Sequence, residues 1–165
     1  MSNSTHSHGE KEALRRADPT PPLSGQQLRE IESQTLSAYE ERAEDFREGT
    51  RDHDVSQNVE ALLGAIVGEP PFRILDFGCG PGRDLLNFRA RGHEPVGLDG
   101  SLAFVEMARA TGAGPVLHQS FLALDLAPGS FDGVFANASL FHVPAQELPR
   151  VLAALFACAL RASSP

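Results

Sequence analysis

Apolar residues in the first third of the chain recur at the spacing of an α-helix. This spacing predicts one helix from about Gly25 to Arg47, with Ser24 as its N-cap and Gly49 at its end. A second helix is predicted from about Val55 to Val67. The predicted buried face of the first helix comprises Leu28, Ile31, Thr35, Leu36, Tyr39, Ala43 and Phe46.

After Pro71 the pattern changes to short apolar runs that alternate with helical segments. The predicted strands are Phe72–Phe77, Pro95–Leu98, Pro115–His118 and Phe131–Ala136. The predicted helices are Asp84–Ala90, Ser101–Ala110 and Gln146–Leu160, with Ser101 as either the cap or a first-turn residue of its helix. Strands that alternate with helices indicate βαβ units, so the predicted fold class is α/β with a parallel sheet covered on both faces.

Length and charge limit the number of domains and the kinds of partner that this chain can have. A chain of 165 residues predicts one domain, and a net charge of −8 without a dense Lys/Arg block argues against a nucleic-acid partner. Cys79 and Cys158 are far apart and not at a metal-ligand spacing, so we predict a reduced, cytoplasmic protein without a metal site.

The first 23 residues differ in composition from the rest of the chain. They are polar and end in the helix-breaking run DPTPPL, which predicts a disordered tail at 1–23 and a domain at 24–165. They lack the apolar core of a signal peptide. The longest apolar run, Val151 to Leu160, is too short to cross a bilayer, so no membrane association is predicted.

The run ILDFGCGPGR places three glycines, Gly78, Gly80 and Gly82, at alternate positions directly after the first predicted strand. Such a loop lets a ligand approach the free N–H groups at the start of the next helix. The dinucleotide fingerprint G-x-G-x-x-G is broken by Arg83, and the Lys-Ser/Thr of a P-loop is absent. A nicotinamide-dependent oxidoreductase is therefore disfavoured, although it stays among the alternatives.

Two acidic residues add to the glycine loop. Asp99 ends the second predicted strand, where a carboxylate accepts hydrogen bonds from ribose hydroxyls. Asp76 precedes the glycines, where it suits an ammonium group or holds the loop amides through water. Together they predict a site for an adenosine-type ligand with a cationic, amino-acid-like tail, a description that fits S-adenosylmethionine better than NAD.

Three motifs in order resemble those of the class I S-adenosylmethionine-dependent methyltransferases: ILDFGCGPGRD, VGLDGS and SFDGVFANASLFHV. The resemblance covers roughly residues 55–160 and implies a Rossmann-like, doubly wound sheet. It also implies a set of residues that bind S-adenosylmethionine. Gly78, Cys79 and Gly80 would cradle the cofactor, Asp76 would lie near its methionine end, Asp99 would bind the ribose, and Gly100 and Ser101 would line the adenine pocket.

The chain departs from the family pattern in two places. Many members carry an acid after the third strand that meets the adenine amino group. This chain has Ser120 there, whose hydroxyl would still bind the cofactor by accepting a hydrogen bond, and Phe121 or Leu122 would pack on the ring. Family sheets usually have seven strands in the order 3-2-1-4-5-7-6, whereas four are predicted here, so the predicted fold is truncated after the fourth strand and its helix. The exposed edge of the fourth strand then predicts marginal stability or self-association.

Methyl transfer depends mainly on alignment, so a general base is needed only where the acceptor must lose a proton. His142, in the loop after the fourth strand, is the candidate base, with local packing as the alternative. Asn137 would contact the cofactor, orient an acceptor or cap the next turn. Tyr39 and His53 are the candidate lid or substrate residues, with a buried helix face and an exposed loop as their alternatives.

The function predicted from these motifs is methyl transfer from S-adenosylmethionine to a small-molecule acceptor. The alternative is a non-catalytic or truncated remnant that binds the cofactor weakly. The motifs do not indicate which acceptor is used.

Overall fold

The computed structural model describes residues 21–160. Most of the predicted tail and the last five residues lie outside this range. The helices are α1 (Gly25–Glu41), α2 (Ala43–Thr50), α3 (Ser56–Ala65), α4 (Arg83–Ala90), α5 (Leu102–Ala110) and α6 (Leu148–Ala159). The strands are β1 (Arg73–Phe77), β2 (Glu94–Asp99), β3 (Val116–His118) and β4 (Gly133–Phe135), and a short 3-10 turn spans Leu140–His142.

The N-terminal helical segment corrects one prediction. Two helices replace the single one, because Arg42 adopts a non-helical conformation with φ −124° and ψ 19°. Ser24 is the N-cap as predicted, in a reciprocal capping box with Gln27. The second helix runs past Gly49 to Thr50, so the predicted end is also wrong.

The predicted buried face of the first helix is wrong at two positions, Ile31 in α1 and Phe46 in α2, since both side chains are exposed. Ile31 is 38% exposed, whereas Glu32 is half-buried and faces the domain. Leu28, Glu32, Leu36 and Tyr39 are spaced four, four and three residues apart, which places them on one side of the helix. The helix therefore presents a carboxylate to the interior.

The four strands form one parallel sheet in the order β3-β2-β1-β4. Alternate residues of β1 face opposite layers: Leu75 and Phe77 join a core with Val151 and Leu155 of α6. Ile74 packs on the other face with residues of α3 and α4. Helices therefore cover both faces, and the Rossmann-like α/β prediction is confirmed.

The strand β4 forms one edge of the sheet. It pairs with β1 from Ile74–Gly133 to Asp76–Phe135, and no other strand within residues 21–160 pairs with its outer side.

Within the same residues, no helix combines the length and the apolar character that are needed to cross a membrane.

We predict that Gly82→Ala destabilises the fold more than Gly92→Ala. Both glycines have positive φ, 91° and 83°, but a Cβ on Gly82 would lie 2.9 Å from Cα of Ala108, whereas Gly92 has nothing within 4 Å. Gly92→Ala should cost about 1–2 kcal/mol for its left-handed backbone. Gly82→Ala should lose about 1–3 kcal/mol more, as in an overpacked core.

The free energy of unfolding in urea measures both losses. Equal losses of unfolding free energy in the two variants would show that α5 can move away from position 82 without destabilising the protein.

Candidate functional site

A cleft of about 190 Å³ opens where the carboxyl ends of β1, β2 and β4 meet. In parallel sheets this edge is the usual ligand site. The helices α1 and α2 form the opposite wall. The cleft is lined by Glu32, Thr35, Leu36, Tyr39, Phe46, Thr50, His53, Val55, Gly78, Cys79, Gly80, Pro81, Arg83, Asp84, Asp99, Gly100, Phe104, Phe121, Leu122, Asn137, Ala138, Ser139 and His142.

The glycine loop between β1 and α4 approaches both the cleft and β4 closely. Gly78 and Gly80 have φ of 76° and 51°, which side chains rarely adopt. A Cβ on Gly78 would lie 2.4 Å from Cβ of Ser139, so a side chain cannot be placed there. At Gly80 the nearest atom to such a Cβ is Cε1 of Phe46, at 3.7 Å, which leaves the loop backbone open toward the cleft.

The Asp99 side chain ties the glycine loop to the end of β2. Its Oδ2 accepts the backbone N–H of Gly80 at 2.9 Å, and its Oδ1 accepts that of Ser101 at 2.9 Å. Burial raises the pKa of Asp99, and these backbone hydrogen bonds oppose the rise. Each carboxylate oxygen can accept a further hydrogen bond, so the group still has capacity for a ligand.

Two buried polar atoms beside the glycine loop have no hydrogen-bond partner within residues 21–160: Oδ2 of Asp76 and Oγ of Ser139. Asp76 is 2% exposed, and burial, with added repulsion from Asp84 and Asp99, raises its pKa well above the usual value. Ala138, which precedes Ser139, has a strained φ of 55°. A ligand that brings a donor or a cation to this position would satisfy such groups.

The Arg83 guanidinium links α2 to the glycine loop. Its Nε and Nη2 donate to the two carboxylate oxygens of Asp84, each at 2.9 Å, and its Nη1 donates to the Thr50 carbonyl at 2.8 Å. The side chain is therefore engaged by the protein, and it holds the end of α2 over the cleft.

Aromatic rings fill the wall between α1, α2 and α5. Tyr39, Phe46 and Phe104 contact one another with centroids 5.1–5.5 Å apart. The Tyr39 hydroxyl is hydrogen-bonded to Nε2 of His142 at 2.9 Å, which joins α1 to the turn after β4. Burial raises the pKa of Tyr39, with a smaller contribution from Asp99, and burial lowers the pKa of His142.

Most of the predicted site residues line this cleft, and three do not. Asp76 lies beneath the glycine loop, and the Ser101 hydroxyl caps α5 and donates to Glu40 at 2.9 Å. Ser120 directs its hydroxyl to Glu32. Asn137 lines the cleft and accepts a hydrogen bond from Asn58 at 2.9 Å.

Sequence reasoning missed Glu32, Phe104 and Ser139 as site residues. Glu32 could have been found as the position one turn after Leu28 and one turn before Leu36 on the same helix face. No comparable signal marks Ser139, because its burial depends on the path of the loop after β4. Within residues 21–160 no group of three or more His, Cys, Asp or Glu side chains is placed to hold a metal ion.

The sheet order, the glycine loop and the acidic end of β2 define a Rossmann-like methyltransferase fold. Residues 74–160 match the family described as "Methyltransferase domain". Since the match spans more than half of the chain, the protein belongs to this methyltransferase family.

A 52-residue segment is 42% identical to malonyl-(acyl-carrier protein) O-methyltransferase of Salmonella typhimurium, and it covers 32% of this chain and 21% of that protein. The fold is similar to 1,6-didemethyltoxoflavin-N1-methyltransferase of Burkholderia thailandensis, with a TM-score of 0.65, 24% identity, and coverage of 87% of this chain and 62% of that one. It is also similar to phosphoethanolamine N-methyltransferase 1 of Haemonchus contortus, with a TM-score of 0.67, 17% identity and coverage of 85% and 31%. The chain thus spans less than two thirds of the length of each relative.

We predict that Asp76→Asn stabilises the ligand-free protein at neutral pH. Because the pKa of Asp76 is raised in the folded state, that state binds the proton more tightly than the unfolded chain does. The free energy of unfolding therefore falls as pH rises from the usual carboxyl pKa to the raised value. Asparagine, which is never charged, should remove this loss.

Urea unfolding from acidic to neutral pH measures the effect, with the exposed Asp125→Asn as the control. A stability advantage that is the same at every pH would argue against titration of Asp76.

Proposed function

We propose that this protein binds S-adenosylmethionine in the cleft and transfers its methyl group to a small-molecule acceptor. The observation that carries the proposal is the buried carboxylate of Asp76, whose Oδ2 has no hydrogen-bond partner within residues 21–160. The ammonium group of this cofactor supplies the donors and the positive charge that such a carboxylate requires. Asp84 and Asp99 add negative charge nearby, which Arg83 partly offsets.

The residues around the glycine loop fit this cofactor. The backbone at Gly78, Cys79 and Gly80 would cradle it, and Asp76, which lies beneath the loop, would attract its ammonium group through its negative charge or a bridging water. Asp99 would accept hydrogen bonds from the ribose. Gly100 and Phe121 would border the adenine ring, while Ser101 would act through its backbone contact with Asp99. The Burkholderia thailandensis and Haemonchus contortus relatives were crystallised with S-adenosylhomocysteine, which supports the choice.

When bound, S-adenosylmethionine supplies a methyl group that is already activated on a sulfonium. The protein must then align an acceptor and exclude water. The rings of Tyr39, Phe46 and Phe104 line the cleft beside the glycine loop, where aromatic faces stabilise positive charge. Asn137, in the loop after β4, and His53, in the loop after α2, both line the cleft and would orient the acceptor.

The His142 imidazole would take a proton from acceptors that carry one. Its lowered pKa keeps the ring neutral at physiological pH. Nε2 is engaged by the Tyr39 hydroxyl at 2.9 Å, so the proton would be taken by Nδ1, in the tautomer whose Nε2–H donates to the Tyr39 oxygen. Both groups line the cleft, so an acceptor there can reach them.

A small-molecule acceptor is supported by two relatives whose structures hold 1,6-didemethyltoxoflavin and phosphoethanolamine. The second candidate function is cofactor binding without catalysis. Transfer of labelled methyl groups to a metabolite extract distinguishes the two.

For self-association, the unpaired outer side of β4 is the proposed interface, and sedimentation velocity at several concentrations tests it. A cytoplasmic location stays a prediction.

We predict that calorimetry detects binding of S-adenosylhomocysteine and that Asp99→Ala abolishes it. The substitution removes the proposed ribose acceptor and the contact that holds the Gly80 N–H. Asp125→Ala, at an exposed site, is the control.

A heat signal with NAD in place of S-adenosylhomocysteine would overturn the proposal. Unchanged affinity in a folded Asp99→Ala variant would show that the ribose lies elsewhere.

We predict that His142→Asn lowers kcat about 100-fold or more for an acceptor that must lose a proton. Affinity for S-adenosylhomocysteine should stay the same. In the unchanged protein, kcat should fall as pH drops through a midpoint below 6.5, because the lowered pKa preserves the neutral imidazole to more acidic pH.

Tyr39→Phe should give a smaller loss of kcat and move this midpoint, since it removes the hydrogen bond to His142. His53→Asn is the comparison within the cleft. A loss of kcat in His53→Asn alone would assign the role of base to His53.

A further inference from the structure

The end of the cleft beside β3 contains a carboxylate that comes from α1. Glu32 lines the cleft there, together with Leu36, Phe121 and Leu122. Leu36 packs on the end of β2: its Cδ2 lies 3.0 Å from the position that a Cβ on Gly100 would take. The carboxylate therefore lies among apolar side chains where β2 and β3 end.

The segment after β3 borders the same end of the cleft. The backbone oxygen of Gln119 would lie 3.7 Å from a Cβ on Gly100, the residue on which Leu36 also packs. The next residue, Ser120, hydrogen-bonds to Glu32. One turn of α1 thus contacts both strand ends.

The Ser120 hydroxyl makes two hydrogen bonds within the protein, one as donor and one as acceptor. Its single proton is donated to Oε1 of Glu32, and its oxygen accepts the backbone N–H of Leu122 at 3.0 Å. Ser120 is also absent from the residues that line the cleft. Its hydroxyl therefore positions the Glu32 carboxylate and does not face a ligand.

We propose that Glu32 recognises the exocyclic amino group of the adenine ring in the bound cofactor, in place of an acid at position 120. The inference rests on the proposed function. An amino group donates two hydrogen bonds, and an ionised carboxylate is an acceptor at both oxygens. Leu36, Phe121 and Leu122 supply the apolar surfaces against which a purine ring packs.

This assignment places base recognition on the helix that also carries Tyr39. The two residues are seven positions apart on the inward face of α1. Glu40, on the same helix, accepts hydrogen bonds from the Ser101 hydroxyl at 2.9 Å and from the Ala103 N–H at 3.2 Å. The position of α1 therefore governs both the adenine end of the cleft and the Tyr39–His142 contact.

Calorimetry with two ligands tests the inference. S-Inosylhomocysteine differs from S-adenosylhomocysteine in carrying a carbonyl where adenine has its amino group and an N–H at the neighbouring ring nitrogen. The unchanged protein should prefer the adenosyl compound. Glu32→Gln should reduce that preference roughly tenfold or more, because a charged acceptor is lost and the new amide can donate to the inosine carbonyl.

The matched control is Glu41→Gln, an exposed change on the same helix, which should leave the preference unchanged. Ser120→Asp in the Glu32→Gln background should restore the preference for the adenosyl compound, because the side chains at positions 120 and 32 are in contact. Thermal melting verifies that each variant is folded.

Equal weakening of both ligands by Glu32→Gln would assign the residue a purely structural role and overturn the inference, as would an unchanged preference. Either result leaves the proposed function intact, since both compounds still bind. If the unchanged protein binds neither compound, the proposed function fails and this inference fails with it.

Discussion

The glycine loop is attached to the end of β2 by three backbone N–H groups, and the shape of the cleft depends on this attachment. Gly78 and Cys79 donate to the Leu98 carbonyl at 2.8 and 3.1 Å, and Gly80 donates to Asp99 at 2.9 Å. These bonds turn the backbone sharply after β1, which requires positive φ at the glycines. The turn starts α4 close to α5 and leaves the loop backbone facing the cleft.

The helices α1 and α2 are held over this loop by a ring cluster of Tyr39, Phe46 and Phe104 and by several polar contacts. Arg83 donates to the end of α2, Glu40 accepts from the start of α5, and Glu32 accepts from Ser120. Partly exposed hydrogen bonds open at a lower cost than a packed apolar core. Since α1 has no buried residue and α2 has only Ala43, this wall has less packed apolar contact than the floor of the cleft.

Without a ligand, the floor of the cleft contains unsatisfied polar atoms and a strained backbone. Asp76 and Ser139 bury polar atoms without partners in the described residues, and Ala138 has positive φ. Each feature costs stability, and such costs concentrate where a ligand is bound. A cofactor that satisfied these atoms would stabilise the fold through binding.

The sequence by itself determined the strands, the glycine loop and the acidic residue that ends β2, because apolar runs and glycine spacing act locally. It did not determine the break of the first helix at Arg42, since helical spacing continues through that residue. Nor did it show that Ile31 is exposed and Glu32 faces inward. Only the tertiary structure decided those features, and with them the Tyr39–His142 and Ser120–Glu32 contacts, because each joins side chains more than 80 residues apart that meet only when α1 packs across the sheet edge.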